Sequence, residues 1–421
     1  MTTTFTNARL IDPEFGSDSL GSLTIDNGVI TARDAAPTGE IIDCNEQYLA
    51  PGIIDIGVKI GEPGERHKES FRTAGAAAAA GGVTTMVTRP DTSPPIDTPE
   101  MLEFFRTRAA ALCCVNVLPM AALTKARAGV EMTELGFLAD AGAVAFSDGD
   151  SPVPNAKTLS RLMAYAAADN ALIIGHAQDP QLSLGAAATS GALAAKMGLP
   201  GVSPMAERLR LEHELTLVEA SGARYHIDQI TTAAALPALA RARAAGLKVT
   251  AGISIHHLTL NEFDIEGYRT FFKFKPPLRS EDDRMAMVAA LASGEIDIIC
   301  SLHTPQDEES KRLPFADAAS GAVGLETLLP AALQLVHAGH LSLPQLFAAL
   351  SLNPARLLGL PAGRLAIGAP ADLVLFNPDI PYILDRSTLH SKSKNTPYDG
   401  RRMQGRVLGT WLAGRQVWGL E

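Results

Sequence analysis

Long hydrophobic runs are missing from this chain: no stretch approaches 18 uncharged apolar residues, so no membrane span is expected. Cysteine is scarce. The four present (Cys44, Cys113, Cys114 and Cys300) show no metal-ligand spacing, and adjacent Cys113-Cys114 is a poor disulfide candidate. They read as buried reduced thiols of a cytoplasmic protein. Positive charge is in deficit, with 36 Lys and Arg against 46 Asp and Glu and a formal net charge of −10. That balance argues against nucleic acid or an anionic membrane as the main partner, since both need a basic face. The opening Met1-Thr2-Thr3-Thr4-Phe5 lacks a basic segment followed by an apolar run, so no signal peptide is expected. Also absent are a phosphate loop, a Ser-His-Asp order and a Cys-His pair.

What is present is a large globule. At 421 residues, 46% hydrophobic and 19% charged, the chain supports a sizeable core, enough for one barrel and a small accessory domain. Short apolar runs at 53–58, 83–87, 115–120, 143–147, 172–176, 224–229, 248–254 and 296–301 read as strands. Between them lie segments of helical period, such as 98–111, 157–168, 204–221, 233–245 and 281–292. Eight strand–helix alternations predict a (β/α)₈ barrel over residues 51–361. An open doubly wound sheet is the alternative, but its glycine-rich first turn is absent. The alanine-dense stretch 75–82 reads as a tightly packed helix. Residues 1–50 and 362–421 have another character, short alternating segments with turn residues, including the hairpin signal Asn27-Gly28. Flanking a barrel, these two ends most simply pair into one small β-sandwich domain. Residues 306–321, charged and then rich in small residues, are the expected mobile loop over the barrel mouth.

Several stretches carry a resemblance. Pro51-Gly52-Ile53-Ile54-Asp55-Ile56-Gly57-Val58-Lys59 is similar to the first barrel strand of the cyclic amidohydrolases, the dihydroorotase family especially. So are Glu62-Pro63-Gly64, Gly81-Gly82-Val83-Thr84-Thr85, Phe146-Ser147-Asp148 and Pro276-Pro277-Leu278-Arg279, followed by Asn353-Pro354-Ala355-Arg356 and Asn395-Thr396-Pro397. These landmarks keep family order over nearly the whole chain. The resemblance implies an amidohydrolase-type barrel with ligands at the C-terminal ends of its strands.

The departures lie where the metal belongs. A His-x-His pair is expected at Gly57 and Lys59; glycine has no side chain, and an ammonium has no lone pair for a cation. The fourth-strand carboxylate survives as Asp148 and the fifth-strand histidine as His176. The sixth-strand ligand position is Gln229, after His226. The eighth-strand aspartate, which in the family is both ligand and general base, is Leu302, followed by His303. Of six metal positions only Asp148 and His176 stay usable, and two protein ligands rarely hold a transition metal. Recognition positions change too: the arginine that grips the substrate carboxylate is Gly61, and two asparagines become Asp91 and Lys275, with Arg89 nearby. Lys59 is expected to set its ammonium in the vacated position and pair with Asp148. His226, His256, His257 and His303 are expected near the mouth in structural or supporting roles.

The pattern of losses resembles the catalytically silent dihydroorotase homologues that accompany aspartate carbamoyltransferase in some bacteria. It implies a pseudoenzyme with no cofactor, acting as an assembly partner for the transcarbamoylase catalytic chains and forming a homodimer or hetero-oligomer. Two alternatives remain open. One is an active cyclic amidohydrolase with an unconventional zinc site around Asp148, His176 and His226. The other is a metal-free module for a small anion, using Arg89, Lys59 and Lys275, with Asp91 and His303 as further residual mouth residues.

Overall fold

A computed structural model describes residues 2–419. Both ends of the chain enter one eight-stranded sheet. Thr3–Asp12 pairs antiparallel with Ser17–Asp26 and parallel with Glu40–Asp43 and Tyr48–Pro51. Tyr48–Pro51 in turn pairs antiparallel with Leu373–Ile383, which leads through Arg402–Leu412 to Arg415–Gly419. The hairpin at Asn27-Gly28 joins Ser17–Asp26 to Val29–Arg33, with both turn residues at positive φ. Apolar residues of one face, among them Phe5, Leu10, Leu23, Leu49 and Leu373, form a separate small core. There Phe5 meets Trp411 edge-on, ring centroids 5.0 Å apart.

The intervening chain winds parallel strands with helices outside. Ile53–Val58, Val83–Thr88 and Asn116–Pro119 are hydrogen-bonded neighbours, as are Leu172–Gly175, Arg224–Ile227, Val249–Ser254 and Ile298–Cys300. The predicted strand 143–147 is reduced to Phe146, which bridges to Ala121 on one side and Ile173 on the other and so joins the two arcs. Ring closure falls to Asp55. Its buried carboxylate accepts from Ser301 N (2.8 Å) and from the Ser301 hydroxyl, while Lys59 N donates to His303 O at 2.9 Å. Burial raises the Asp55 pKa to about 6, against the opposing pull of its Ser301 bonds.

The helices start where the sequence caps them. Thr98 caps Pro99–Leu112, Asn155 caps Ala156–Ala168 and Ser280 caps Glu281–Ser293, the last with three acids in its first turn. Phe71–Ala80 is the alanine-dense helix. Its buried Ala74, Ala77, Ala78 and Ala79 allow a close approach, and a side chain at Gly81 would strike Leu325 O at 2.1 Å. Among the described residues no helix is long and apolar enough to cross a membrane.

Residues 306–321 do not form a loose loop. Asp307 caps the short helix Glu308–Lys311. Lys273 Nζ donates to the carbonyls of Ala316 and Ala318, and Lys311 Nζ to those of Thr270 and Ala319, at 2.6–3.0 Å. The expectation of a mobile loop rested on small residues. It missed two buried ammoniums that gather the segment's backbone acceptors.

Candidate functional site

Gly57, Arg89, His226, Gln229 and Leu302 line one cavity at the C-terminal ends of the strands, together with Asp228, which the sequence reading did not single out. Of the six metal positions the structure brings Gly57, Gln229 and Leu302 to this cavity, while Lys59, Asp148 and His176 are not on its lining; none of the altered ones offers a metal donor in a binding arrangement. Gly57 sits at φ +92° where Ile53–Val58 slips register against its neighbour, and open space lies where its side chain would be. Gln229 has become a bracket between strands: Oε1 accepts from Ser254 N at 2.8 Å, and Nε2 donates to Cys300 Sγ at 3.1 Å. Leu302 is buried at φ +49°, a left-handed conformation that an aspartate or asparagine adopts more readily than leucine.

Asp148 does not meet Lys59, which corrects the expected pairing. Its Oδ1 accepts from Leu123 N (2.9 Å) and Thr124 N (3.1 Å), and its Oδ2 from Thr124 Oγ1 (2.5 Å). These bonds hold the carboxylate against the neighbouring loop, and burial still lifts its pKa above the usual value. Lys59 lies instead 3.3 Å from Asp91 and 3.5 Å from Glu65. Asp91 has a stronger partner in Arg89, whose guanidinium donates Nε at 3.2 Å and Nη2 at 2.5 Å in a bidentate pair. Burial opposes ionisation of Asp91, but Arg89, then Lys59 and Arg127, hold its carboxyl far below the ordinary range.

Asp150, whose pKa burial alone would raise, is brought down to about 2 by Arg89, Lys275 and His176. Asp91, Asp150 and Asp228 all favour the charged form of Arg89, which lines the cavity. A fixed guanidinium thus supplies positive charge to this cavity. Lys275 reaches Asp150 at 3.3 Å. Lys59, Arg89 and Lys275 thus each have a carboxylate partner.

The histidines divide. His176 Nδ1 is 2.9 Å from Asp228 Oδ2, and His176 Nε2 and Asp228 Oδ1 are buried without partners. His226 Nδ1 bonds Thr250 Oγ1 at 2.8 Å, and burial brings its pKa down to about 4. His303 lies away from the cavity. Its Nδ1 accepts from Gly324 N at 3.1 Å, and its Nε2 is 3.4 Å from Glu69 Oε2 in a fully buried pair. His256 and His257 are buried, their pKa values brought down to about 3 chiefly by desolvation. His257 is tied to Ser254 and Pro276 O, and His256 stacks on Phe274.

The donor set does not fit the metal chemistry implied by the resemblance. Among the described residues no group of three or more His, Cys, Asp or Glu side chains is arranged to hold a metal ion. A zinc centre of this type needs at least three protein donors and an open position for water.

The family model described as dihydro-orotase-like matches residues 46–235, and the model described as amidohydrolase family matches 334–418. A dihydroorotase-like protein of Pseudomonas putida is 39% identical over 425 residues, covering all of both chains. A dihydroorotase of Anaplasma phagocytophilum is 37% identical over 430 residues, covering all of this chain and 96% of that one. The chain belongs to the dihydroorotase-like family. Among solved structures, the L-hydantoinase of Arthrobacter aurescens superposes with a TM-score of 0.89 at 24% identity, covering all of this chain and 97% of that one. At that identity the likeness speaks for the amidohydrolase fold, a TIM barrel with a sheet domain built from both ends. Family membership fixes the fold, and activity has to be argued from the site, because fold alone does not carry it.

Proposed function

We propose that this dihydroorotase-like chain is a pseudoenzyme of pyrimidine biosynthesis that works in the cytoplasm as a structural subunit for the catalytic chains of aspartate carbamoyltransferase. One observation carries the reading. The positions for metal and base hold Gly57, Lys59, Gln229 and Leu302, and the surviving Asp148 is held by three internal hydrogen bonds. A barrel hydrolase activates water on its metal and needs a base beside it, and leucine can be neither ligand nor base. The barrel and its outer helices are otherwise retained, which suits a role in which surface matters more than site. Two relatives, from Pseudomonas putida and Pseudomonas aeruginosa, are themselves named dihydroorotase-like proteins, at 39% identity each.

The test mixes purified chain with transcarbamoylase catalytic chains and follows mass by sedimentation velocity. Dihydroorotate hydrolysis is assayed in parallel, with zinc, with and without the partner. The expected result is a stoichiometric complex and no turnover above a His176→Ala control. Turnover dependent on His176 would establish the rival reading of an active hydrolase, and two non-interacting species would remove the assembly role.

A further inference from the structure

Beside the degenerate metal positions lies a second cavity of about 350 Å³, at the lower end of ligand-pocket sizes. Two buried side chains on its wall have unmet hydrogen-bonding capacity. His176 Nδ1 faces the Asp228 carboxylate, which accepts, so Nδ1 carries the proton and the unpartnered Nε2 presents a lone pair. Gln178 Nε2 donates to Glu207 Oε2 at 3.0 Å, which fixes the amide orientation and leaves the carbonyl Oε1 without a donor. Both residues are 3% exposed. The same cavity holds the half-buried carboxylate of Asp150, and Lys275 on its lining lies 3.3 Å from that carboxylate. The rest of the lining is largely apolar, with Pro152, Pro180, Phe274 and Pro276 among it.

A wall of acceptors has a definite complement. A carboxylate or phosphate would bring lone pairs against lone pairs, whereas an N–H-rich head would satisfy both orphaned atoms and face Asp150 with favourable charge. We infer that this cavity binds a small ligand with an N–H-donating head, a primary ammonium or a carboxamide, on a compact apolar body. The inference rests on the reading that metal chemistry is gone, since it leaves His176 free to act as an acceptor for a ligand. Such a ligand would be an effector held at the mouth, without turnover.

Three probes share one body and differ in the head: benzylamine, benzamide and benzoate. Binding to the full chain is followed through the His176 Nε2 resonance of ¹⁵N-histidine-labelled protein. One or both donor probes should bind saturably and move that resonance, and which of them does so identifies the head. Benzoate should bind at least about tenfold more weakly, a difference of about 1.4 kcal/mol. Ala186→Phe, which adds a ring at the half-buried cavity lining while leaving His176 and Gln178 in place, should fold normally and abolish probe binding. Equal binding of benzoate, no saturation by either donor probe, or unchanged binding in Ala186→Phe would overturn the site. Sedimentation of the unsubstituted chain with transcarbamoylase chains separates the two conclusions. Assembly without probe binding in the unsubstituted chain refutes only the ligand site, whereas dihydroorotate turnover refutes the pseudoenzyme reading beneath it.

Discussion

Arg89 ties together several acids of the mouth. Its guanidinium makes two bonds to the buried Asp91 and faces Asp150 and Asp228. Arg89→Met should therefore leave the buried Asp91 carboxylate with Lys59 at 3.3 Å and the more distant Arg127, a loss of about 3–5 kcal/mol in urea unfolding. Lys59→Ala should cost only about 1 kcal/mol, because that ion pair is longer and Arg89 remains. Combining Arg89→Met with Asp91→Leu should recover most of the loss, since no charge is then orphaned. Equal costs for the two single substitutions would refute this assignment. The sign with pH follows from the lowered carboxyls: the stability Asp150 contributes is present above pH 4 and decays as pH falls towards about 2. In the sequence, the departures from the family pattern were legible from residue type alone, because the side chains of Gly57 and Leu302 carry no donor atom. The compensating partner was not. Lys59 stands in the vacated motif, so it drew the pairing with Asp148, whereas Arg89 earns its role through distances that only the closed barrel sets. Asp228 was missed for the same reason: its meaning lies in His176, 52 residues earlier.

The 306–321 segment shows how buried ammoniums can anchor an element through its backbone, beside the apolar packing of Phe315. Two lysines donate to four backbone carbonyls, and neither has a carboxylate within salt-bridge distance among the described residues. Burial, and then the neighbouring charge of Lys273, lowers the Lys311 pKa from 10.5 to about 7. The folded chain releases this proton near neutrality while the unfolded chain keeps it to about 10.4, so the unfolded state binds more protons between those values. Stability of the segment accordingly rises with pH through that window, by at most about 1.4 kcal/mol per unit. Hydrogen exchange over 307–320, corrected for intrinsic rates, should slow from pH 7 to pH 9 relative to the barrel strands. Lys311→Met should flatten the dependence, and an unchanged slope in that variant would sink the mechanism. The strands and the capped helices were readable from period and caps. The shrinking of strand 143–147 to a bridge at Phe146 was not, since apolar run length does not report how many ladder bonds survive in a tightly curved ring.

At the scale of the molecule, the question is whether the barrel can hold the metal site that the family resemblance implies. Restoring the family residues together, as Gly57→His, Lys59→His, Gln229→His and Leu302→Asp, tests this directly. Leu302→Asp places a residue better suited to φ +49° and should be tolerated by the backbone. Gly57→His meets a φ of +92°, at which a non-glycine residue costs about 1–3 kcal/mol unless the strand shifts register. Gln229→His removes the bracket to Ser254 and Cys300, two bonds that tie the sixth strand to the seventh and eighth. Asp148 would still have to leave three bonds, each worth roughly 1 kcal/mol or more, to turn towards a metal. Arg89 would repel an incoming dication unless Asp91 kept it paired. These costs fall in different elements, so no single backbone adjustment relieves them together. The fourfold variant should bind zinc weakly by metal analysis after dialysis and hydrolyse no dihydroorotate above the unsubstituted chain. Stoichiometric zinc with turnover would show instead that the barrel has kept its catalytic geometry and lost only side chains.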